Sequence, residues 1–373
     1  MIRRFYIHNF RCLENFELPI TGRSSVLLIG RNGAGKTSIG LALEILQKIA
    51  RGTNRVAALI GPADFPRGAT HAPMRLEIEV ELGKKLYAYS VALELPERFR
   101  ELRVLEEKLS VDGKPVYTRE LAQVQLARGA SDAEAKFLVD WHLIALPIIQ
   151  HPSKDDPIGS LKRWLASALI LRPIPSQIRG DSERETLAPN VQVTDLGGWF
   201  WGLSASAPAV YSTIEGYLKQ VMPDFLDIQN PPVSTEFRTL IVQFSTISGT
   251  IRLGFNDLSD GEKCFIIYAM VIAANQAYGP LLCYWDEPDN YLAPSEVNLS
   301  IIALRRTFQD RGQLIVTSHN PDAIRGFADE NTLYLYRNSH LEPTMVKSVE
   351  SLRSSGDLNG SLIDALVRGD LFS

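Results

Sequence analysis

The sequence predicts an α/β fold with a mixed sheet core and a separate antiparallel β lobe, and three observations carry that prediction. First, the apolar run Val26-Leu27-Leu28-Ile29 breaks into Gly30-Arg31-Asn32-Gly33-Ala34-Gly35-Lys36-Thr37, and Ile39, Leu43, Leu46 and Ala50 then recur at helical spacing. Second, Leu281-Leu282-Cys283-Tyr284-Trp285 reads as another buried strand and ends in Asp286-Glu287. Third, residues 76–95 alternate as two paired strands. Leu76, Ile78, Val80 and Leu82 share one face, and Tyr87, Tyr89, Val91, Leu93 and Leu95 share the next, with Gly83-Lys84-Lys85 as the turn.

The elements follow in order. Residues 2–7 alternate like a strand, and His8 to Glu14 connect it towards the strand at 26–29. Residues 52–73 hold Gly61, Pro62, Pro66, Gly68 and Pro73 and form a loop. Asp112-Gly113 marks a further hairpin after Leu109 and Val111. Residues 134–146 read as a helix, followed by Pro147 to Gln150 and a polar run over 151–159. An amphipathic helix is expected over 160–171, with Leu161, Trp164, Leu165, Ala168 and Leu169, and then a polar loop from Pro173 to Asn190. The aromatic cluster Trp199, Phe200, Trp201, Tyr211, Tyr217 and Phe225 reads as core rather than as a base-stacking platform. Residues 239–255 form a hairpin, and a long helix spans about 260–278. No internal repeat and no sustained heptad pattern is present, which argues against a long coiled coil.

Composition narrows the class. The 373 residues suffice for one elaborated domain or two to three ordinary ones, with 45% hydrophobic and 22% charged residues. No apolar run approaches the roughly 18 residues of a membrane span. Met-Ile-Arg-Arg-Phe-Tyr-Ile lacks a secretory core with a cleavage site. Cys12, Cys264 and Cys283 lie far apart in apolar contexts, as expected of buried free thiols in a reducing cytoplasm. The net charge of −4 gives no global nucleic-acid footprint but leaves a local basic groove open.

The chemistry gathers at strand ends. Residues 26–37 have the strand–P-loop–helix pattern of nucleoside triphosphatases. Its glycines let successive N–H groups face phosphate oxygens, and the helix N-terminus adds partial positive charge. Gly30, Arg31, Asn32, Gly33, Ala34, Gly35, Lys36, Thr37 and Ser38 are therefore the candidate nucleotide-binding residues. Lys36 reaches the β- and γ-phosphates and the Thr37 hydroxyl reaches Mg²⁺. Asp286 at a strand end holds the ion directly or through water, and Glu287 polarises the attacking water. Ser259-Asp260-Gly261-Glu262 opens a helix, so Ser259 and Gly261 make a second anion-binding surface. One nucleotide does not need two such helix starts, so the second is expected to bind the γ-phosphate held by another subunit. Gln313 to Thr317 form a strand ending in Ser318-His319-Asn320, which places His319 for γ-phosphate contact. Two readings stand for Arg11: a solvated turn residue, or a group near the nucleotide.

These elements, in this order, resemble the ATP-binding-cassette ATPases. They match the Walker A motif, the signature (Leu258-Ser259-Asp260-Gly261-Glu262), the Walker B strand, the D-loop (Asp289-Asn290-Tyr291-Leu292) and the switch histidine. Phe10-Arg11 together with Leu27 to Thr37 looks like the SMC/RecF branch rather than the transporters. A short chain without coiled-coil arms looks like the stand-alone ATPases of prokaryotic anti-phage systems such as PARIS and Septu. Asp260 and Glu262-Lys263 depart from the family, where many relatives carry Gly and Gln. The family's Q-loop glutamine, a metal-site residue, is best matched by Gln150, with Gln123, Gln125 and Gln177 as rivals.

The resemblance implies a cytoplasmic ATPase that sandwiches ATP and Mg²⁺ between two copies. Lys36, Glu287 and His319 would be catalytic. Thr37, Asp286 and Gln150 would hold the metal. Ser259, Gly261 and Asp289 would reach across to the partner's nucleotide. Residues 1–150 would be an N-terminal lobe, 151–230 a helical insert carrying partner or DNA specificity, 231–345 a C-terminal lobe and 346–373 a tail. That tail docks either on its own domain or on a partner groove. The expected role is a switch controlling a separate effector such as a nuclease, in anti-phage defence. A DNA repair or recombination ATPase is the alternative, and a transporter's soluble engine fits less well.

Overall fold

The computed structural model describes residues 1–127, 135–150, 156–358 and 360–368. In chain order its elements are strands β1 (Ile2–His8), β2 (Phe16–Glu17) and β3 (Ser25–Ile29), then helix α1 (Lys36–Ala50). Six strands follow: β4 (Met74–Leu82), β5 (Lys85–Glu94), β6 (Arg103–Val111), β7 (Lys114–Glu120), β8 (Gln123–Leu126) and β9 (Ala135–Leu138). Next come α2 (Pro157–Ser167), β10 (Leu169–Leu171), α3 (Leu196–Ser206), α4 (Val210–Val221), β11 (Phe225–Gln229), β12 (Ile241–Thr246) and β13 (Gly249–Gly254). The last part holds α5 (Asp260–Tyr278), β14 (Leu282–Asp286), α6 (Pro294–Gln309), β15 (Gln313–Thr317), α7 (Pro321–Arg325), β16 (Thr332–Tyr336), β17 (Met345–Ser348), α8 (Val349–Ser355) and α9 (Leu362–Arg368).

The chain divides into two compact units. The first combines Met1–Arg23, Gly30–Ala168 and Leu333–Lys347; the second combines Ser24–Ile29, Leu169–Thr332 and the chain from Ser348 on. In the first unit an eight-stranded antiparallel sheet runs in the order β2-β1-β4-β5-β6-β7-β8-β9. Of the alternation read from β4, Leu76, Ile78 and Val80 form the buried face of that sheet, joined by Met74, while Leu82 at the strand end is half-buried.

The helix expected over 134–146 is not formed. The described part of 134–146 is strand β9 followed by irregular backbone, and residue 134 lies outside the described residues. The cause is a buried pair of charges. The Glu107 carboxylate, 1% exposed, accepts from the amides of Ala145 (2.7 Å) and Leu146 (2.9 Å) and from the hydroxyls of Tyr89 (3.0 Å) and Tyr117 (2.8 Å). The Arg119 guanidinium donates to the carbonyls of Leu121 (2.6 Å), Asp140 (2.9 Å) and Leu143. Peptide groups that a helix would pair internally are taken by side chains of the sheet.

In the second unit β10, β14, β15 and β3 lie side by side in that order and run parallel. All five residues of β3 and of β15 are buried, as expected of a parallel strand covered on both faces. The helix expected over 160–171 stops at Ser167, and Leu169–Leu171 join the sheet beside β14 instead. Gln47 of α1 donates its side-chain amide to the Ala168 carbonyl, where the backbone turns extended, and this ends the helix. The segment expected as a helical insert thus also supplies an edge strand of the parallel sheet.

A small antiparallel sheet of β11, β12 and β13 precedes α5. Helix α5 is buried on every side from Lys263 to Asn275 and forms the spine of this unit. Trp199, Phe200, Tyr217 and Phe225 are buried core, whereas Trp201 and Tyr211 of the same cluster are half-buried, Trp201 under the Arg238 guanidinium at 4.8 Å and Tyr211 bonded through its hydroxyl to Asp227. Tyr217 and Tyr268 stack at 6.3 Å, and Tyr268 lies 4.6 Å from the Trp285 ring. Cys264 and Cys283 are buried free thiols, and burial raises both pKa values, Cys264 to about 12. Cys12 is partly exposed because it sits in the turn closed by Phe10 and Leu13. The described part of the tail docks on its own unit through buried Leu358 and Leu362. Among the described residues no helix is long and apolar enough to cross a membrane.

Candidate nucleotide site

The P-loop follows β3 directly in the chain and belongs to the first unit. Gly30 has φ +148°, and a Cβ there would sit 2.1 Å from the Leu335 carbonyl oxygen, so only glycine fits. Gly35 is the N-cap of α1 in the left-handed region, φ 104°. No side chain caps α1 and no acid lies in its first turn, so the partial positive charge of the helix end meets no acid there. Lys36 is buried and folds its ammonium onto the carbonyls of Gly30 (2.7 Å) and Arg31 (3.4 Å). Arg31, Asn32, Gly33 and Thr37 are exposed, Ser38 is half-buried, and Ala34 and Gly35 are buried.

Arg11 has φ 56° and turns to Asp64. Its amide meets the Asp64 carbonyl at 2.6 Å, and its guanidinium meets the carboxylate at 3.0 Å. The guanidinium is thus paired at the turn and about half exposed. Gln150 is exposed at the end of a described stretch, Gln123 and Gln125 lie on β8, and Gln177 lies in a short helical turn.

In the second unit the chemistry gathers at the carboxyl edge of the parallel sheet. Leu28 of β3 is in register with Thr317 of β15, and Thr317 with Asp286 of β14. The Thr317 hydroxyl donates to Asp286 Oδ1 at 2.6 Å and accepts from the Glu287 amide at 3.0 Å. One fully buried hydroxyl therefore sets the carboxylate at the strand end and the backbone of the next acid. Glu287 takes φ 52°, which turns its side chain out of the strand direction. Its Oε2 accepts from Asn290 Nδ2 at 2.8 Å, and its Oε1 lies 3.8 Å from His319 Nε2. Both side chains are about two-fifths exposed, so a reactant has access to them. Asp289 is 6% exposed, and burial pushes its carboxyl above the usual range. Nearby Glu287 adds to that rise and a hydrogen bond with Ser318 opposes it.

Ser259 caps α5, and Glu262 closes a capping box on it. The Glu262 carboxylate accepts from the Ser259 amide (2.8 Å) and hydroxyl (2.7 Å). Glu262, one of the residues that departs from the family pattern, thus holds the hydroxyl expected to meet a phosphate. Helix α5 is fastened to the turn after Glu287. The Tyr268 hydroxyl donates to the Pro288 carbonyl at 3.1 Å, and a Cβ on Gly261 would lie 3.1 Å from the Tyr291 carbonyl oxygen. The second unit therefore brings Ser259, Gly261, Asp286, Glu287, Asp289 and His319 onto one connected framework.

Thr317, Asn290 and Tyr268 were missed by reading the sequence. Thr317 carried a weak signal, since it stands at the same strand end as His319. Asn290 carried a local one, as a D-loop residue three positions from Glu287, and Tyr268 carried none because its partner is set by packing. Among the described residues no cluster of three or more His, Cys, Asp or Glu is placed to hold a metal. Mg²⁺ at a phosphate site is ordinarily held by one or two carboxylates plus phosphate oxygens, and the Asp286 carboxylate at the strand end is a donor of the type that ion takes.

Sheet order, P-loop and helix α5 together define a P-loop ATPase fold of the SMC-head type. Residues 1–84 match the family described as AAA ATPase domain. A curated relative, the OLD nuclease of Thermus scotoductus, is 41% identical over 46 residues, 12% of this chain and 8% of the relative. The chain thus spans under a tenth of that relative's length. Among solved structures, an Smc head bound to the C-winged helix domain of ScpA aligns over 95% of this chain and 99% of that one. Its TM-score is 0.56 at 15% identity. The Smc head with an extended coiled coil, bound to the C-terminal domain of ScpA derived from Pyrococcus furiosus, aligns over 95% and 98%. There the TM-score is 0.54 at 13% identity. These likenesses extend over nearly the whole chain and establish the fold.

Proposed function

We propose that this chain is an ATPase that closes around ATP with a second copy of itself and, on hydrolysis, releases a switch governing a separate effector. The observation that carries the reading is the carboxyl edge of the parallel sheet within the second unit. The P-loop starts two residues beyond Leu28, whose register partner Thr317 holds Asp286 and the Glu287 amide. Residues Gly30 to Ser38 would cradle the phosphates, with Lys36 on the β- and γ-groups. Thr37 and Asp286, with Gln150 as a further candidate, would hold Mg²⁺, which supplies charge neutralisation at the phosphates. Glu287 polarises the attacking water and His319 steadies the γ-phosphate. Ser259, Gly261 and Asp289 serve the nucleotide of the other copy, and Ser259 does so once Glu262 turns aside.

The chain acts in the cytoplasm, and residues 151–230 carry the specificity for partner or DNA. An effector nuclease in anti-phage defence is in keeping with the resemblance to the stand-alone ATPases and with the short match to a protein named a nuclease.

Hydrolysis of Mg-ATP by the purified chain tests the reading. Glu287→Gln should lose at least about 100-fold in turnover while retaining ATP and favouring a dimer in sizing experiments. Parental turnover in that variant removes Glu287 as the base. Ser259→Arg and Lys36→Ala should each be inactive alone and recover part of the activity when mixed. Folded, dimerising variants that give no recovery would exclude sites shared between copies. Strong stimulation by DNA, with no effect of any effector, would favour a repair ATPase.

A further inference from the structure

A phosphate-binding loop directs N–H groups at its ligand, so the opposite ends of those peptides point into the protein and need donors there. In the first unit these donors come from far along the chain. The Thr344 hydroxyl donates to the Ala34 carbonyl at 2.9 Å, and the Arg337 guanidinium donates to the Gly33 carbonyl at 3.2 Å. Thr344 is 4% exposed, and its own amide donates to the Cys12 carbonyl at 2.8 Å. It therefore ties the loop to the turn after β1. A Cβ on Gly35 would lie 2.8 Å from the Thr344 hydroxyl oxygen, so the loop rests directly on this residue. Arg337 also donates to the carbonyls of Glu342 (2.9 Å) and His340 (2.6 Å), which shapes the 337–344 connection while it braces the loop.

We infer that Thr344 and Arg337 are positioning residues of the P-loop. The Ala34 carbonyl and the Gly35 N–H are two ends of one trans peptide, so the bond from Thr344 directs the Gly35 amide away from the protein and towards the anion position. Arg337 acts one peptide earlier. There the Ala34 amide closes the turn onto the Arg31 carbonyl at 3.1 Å, and Arg337 holds the other end of that peptide. The segment 333–347 is thus a brace whose removal loosens the loop without removing any group that touches nucleotide. The inference rests on the P-loop being a nucleotide site, as proposed above.

The test compares Thr344→Val and Thr344→Ser with Thr332→Val. Thr332 is a matched control: it is 1% exposed and donates its hydroxyl to the Ala328 carbonyl at 3.0 Å, in the second unit. The Kd for Mg²⁺ with a fluorescent N-methylanthraniloyl-ATP should rise about tenfold in T344V, corresponding to about 1.4 kcal/mol. It should return to within about threefold in T344S and stay within about twofold in T332V. R337A should raise it about threefold and serves as the informative variant if T344V does not fold. Hydrogen exchange of the peptide covering 30–38, without nucleotide, should speed up in T344V and R337A but not in T332V. Parental Kd and exchange in both brace variants, or equal losses in T332V, overturn the inference. If the parent binds no nucleotide, the ATPase reading falls, and the exchange comparison still decides whether the brace exists.

Discussion

Replacing Thr317 by valine keeps the shape of the side chain and removes the one hydroxyl that serves both acids. That hydroxyl donates to the Asp286 carboxylate at 2.6 Å and accepts the Glu287 amide at 3.0 Å. A hydrogen bond to a charged group contributes about 1.5–3 kcal/mol, and a buried amide left without an acceptor costs about 1–3 kcal/mol. Thr317 is fully buried, so water does not replace it, and T317V should lower unfolding stability by about 2–4 kcal/mol. The functional loss comes from geometry. Glu287 holds φ 52°, and freeing its amide releases the constraint on that turn. On the proposed reading, in which Glu287 is the base and the P-loop holds ATP, T317V should lose about ten- to a hundredfold in kcat while ATP affinity moves by less than about threefold. Steady-state hydrolysis gives kcat and KM, and urea unfolding gives stability. Thr317→Ser should recover kcat to within about threefold. A folded T317V protein with kcat within twofold of the parent would refute the assignment of Thr317 as the anchor of the two acids.

Other outcomes follow from the same reasoning. Glu107→Ala strands the buried Arg119 and four donors, and should lower stability by about 3–5 kcal/mol in denaturant titration. Gly30→Ala drives a Cβ to 2.1 Å from the Leu335 carbonyl oxygen, and should abolish ATP binding and cost about 3 kcal/mol or more in the same titration. Asp289→Asn tests a pH dependence. Burial raises the folded-state pKa of Asp289, so the protonated carboxyl favours folding, a contribution fully present below the unfolded pKa and lost as pH rises through the folded value. D289N should therefore be more stable than the parent at pH 7, and the difference should close as pH falls towards about 4. A difference that grows on acidification would reverse the sign.

The sequence carried what depends on neighbours along the chain. Glycine spacing between an apolar run and a helical pattern marks the P-loop, because the left-handed and crowded positions at Gly30 and Gly35 admit little else. The limits of α5 were legible because Ser259 and Glu262 form a capping box within one turn. The apolar runs of β14 and β15 ending in polar residues were legible as parallel strands buried on both faces. The tertiary structure decided what depends on residues far apart. Residues 134–146 read as a helix, yet Glu107 and Arg119 claim amides and carbonyls of its second half, and Leu169 leaves a helical pattern to pair with Cys283. Thr317 acquires its role only when β14 and β15 lie in register, and Thr344 only when a segment more than 300 residues downstream of the P-loop folds back beneath it. Local periodicity records which face a residue turns inward. A hydrogen bond across the fold depends on where the whole chain has placed the partner, and no window of sequence contains that information.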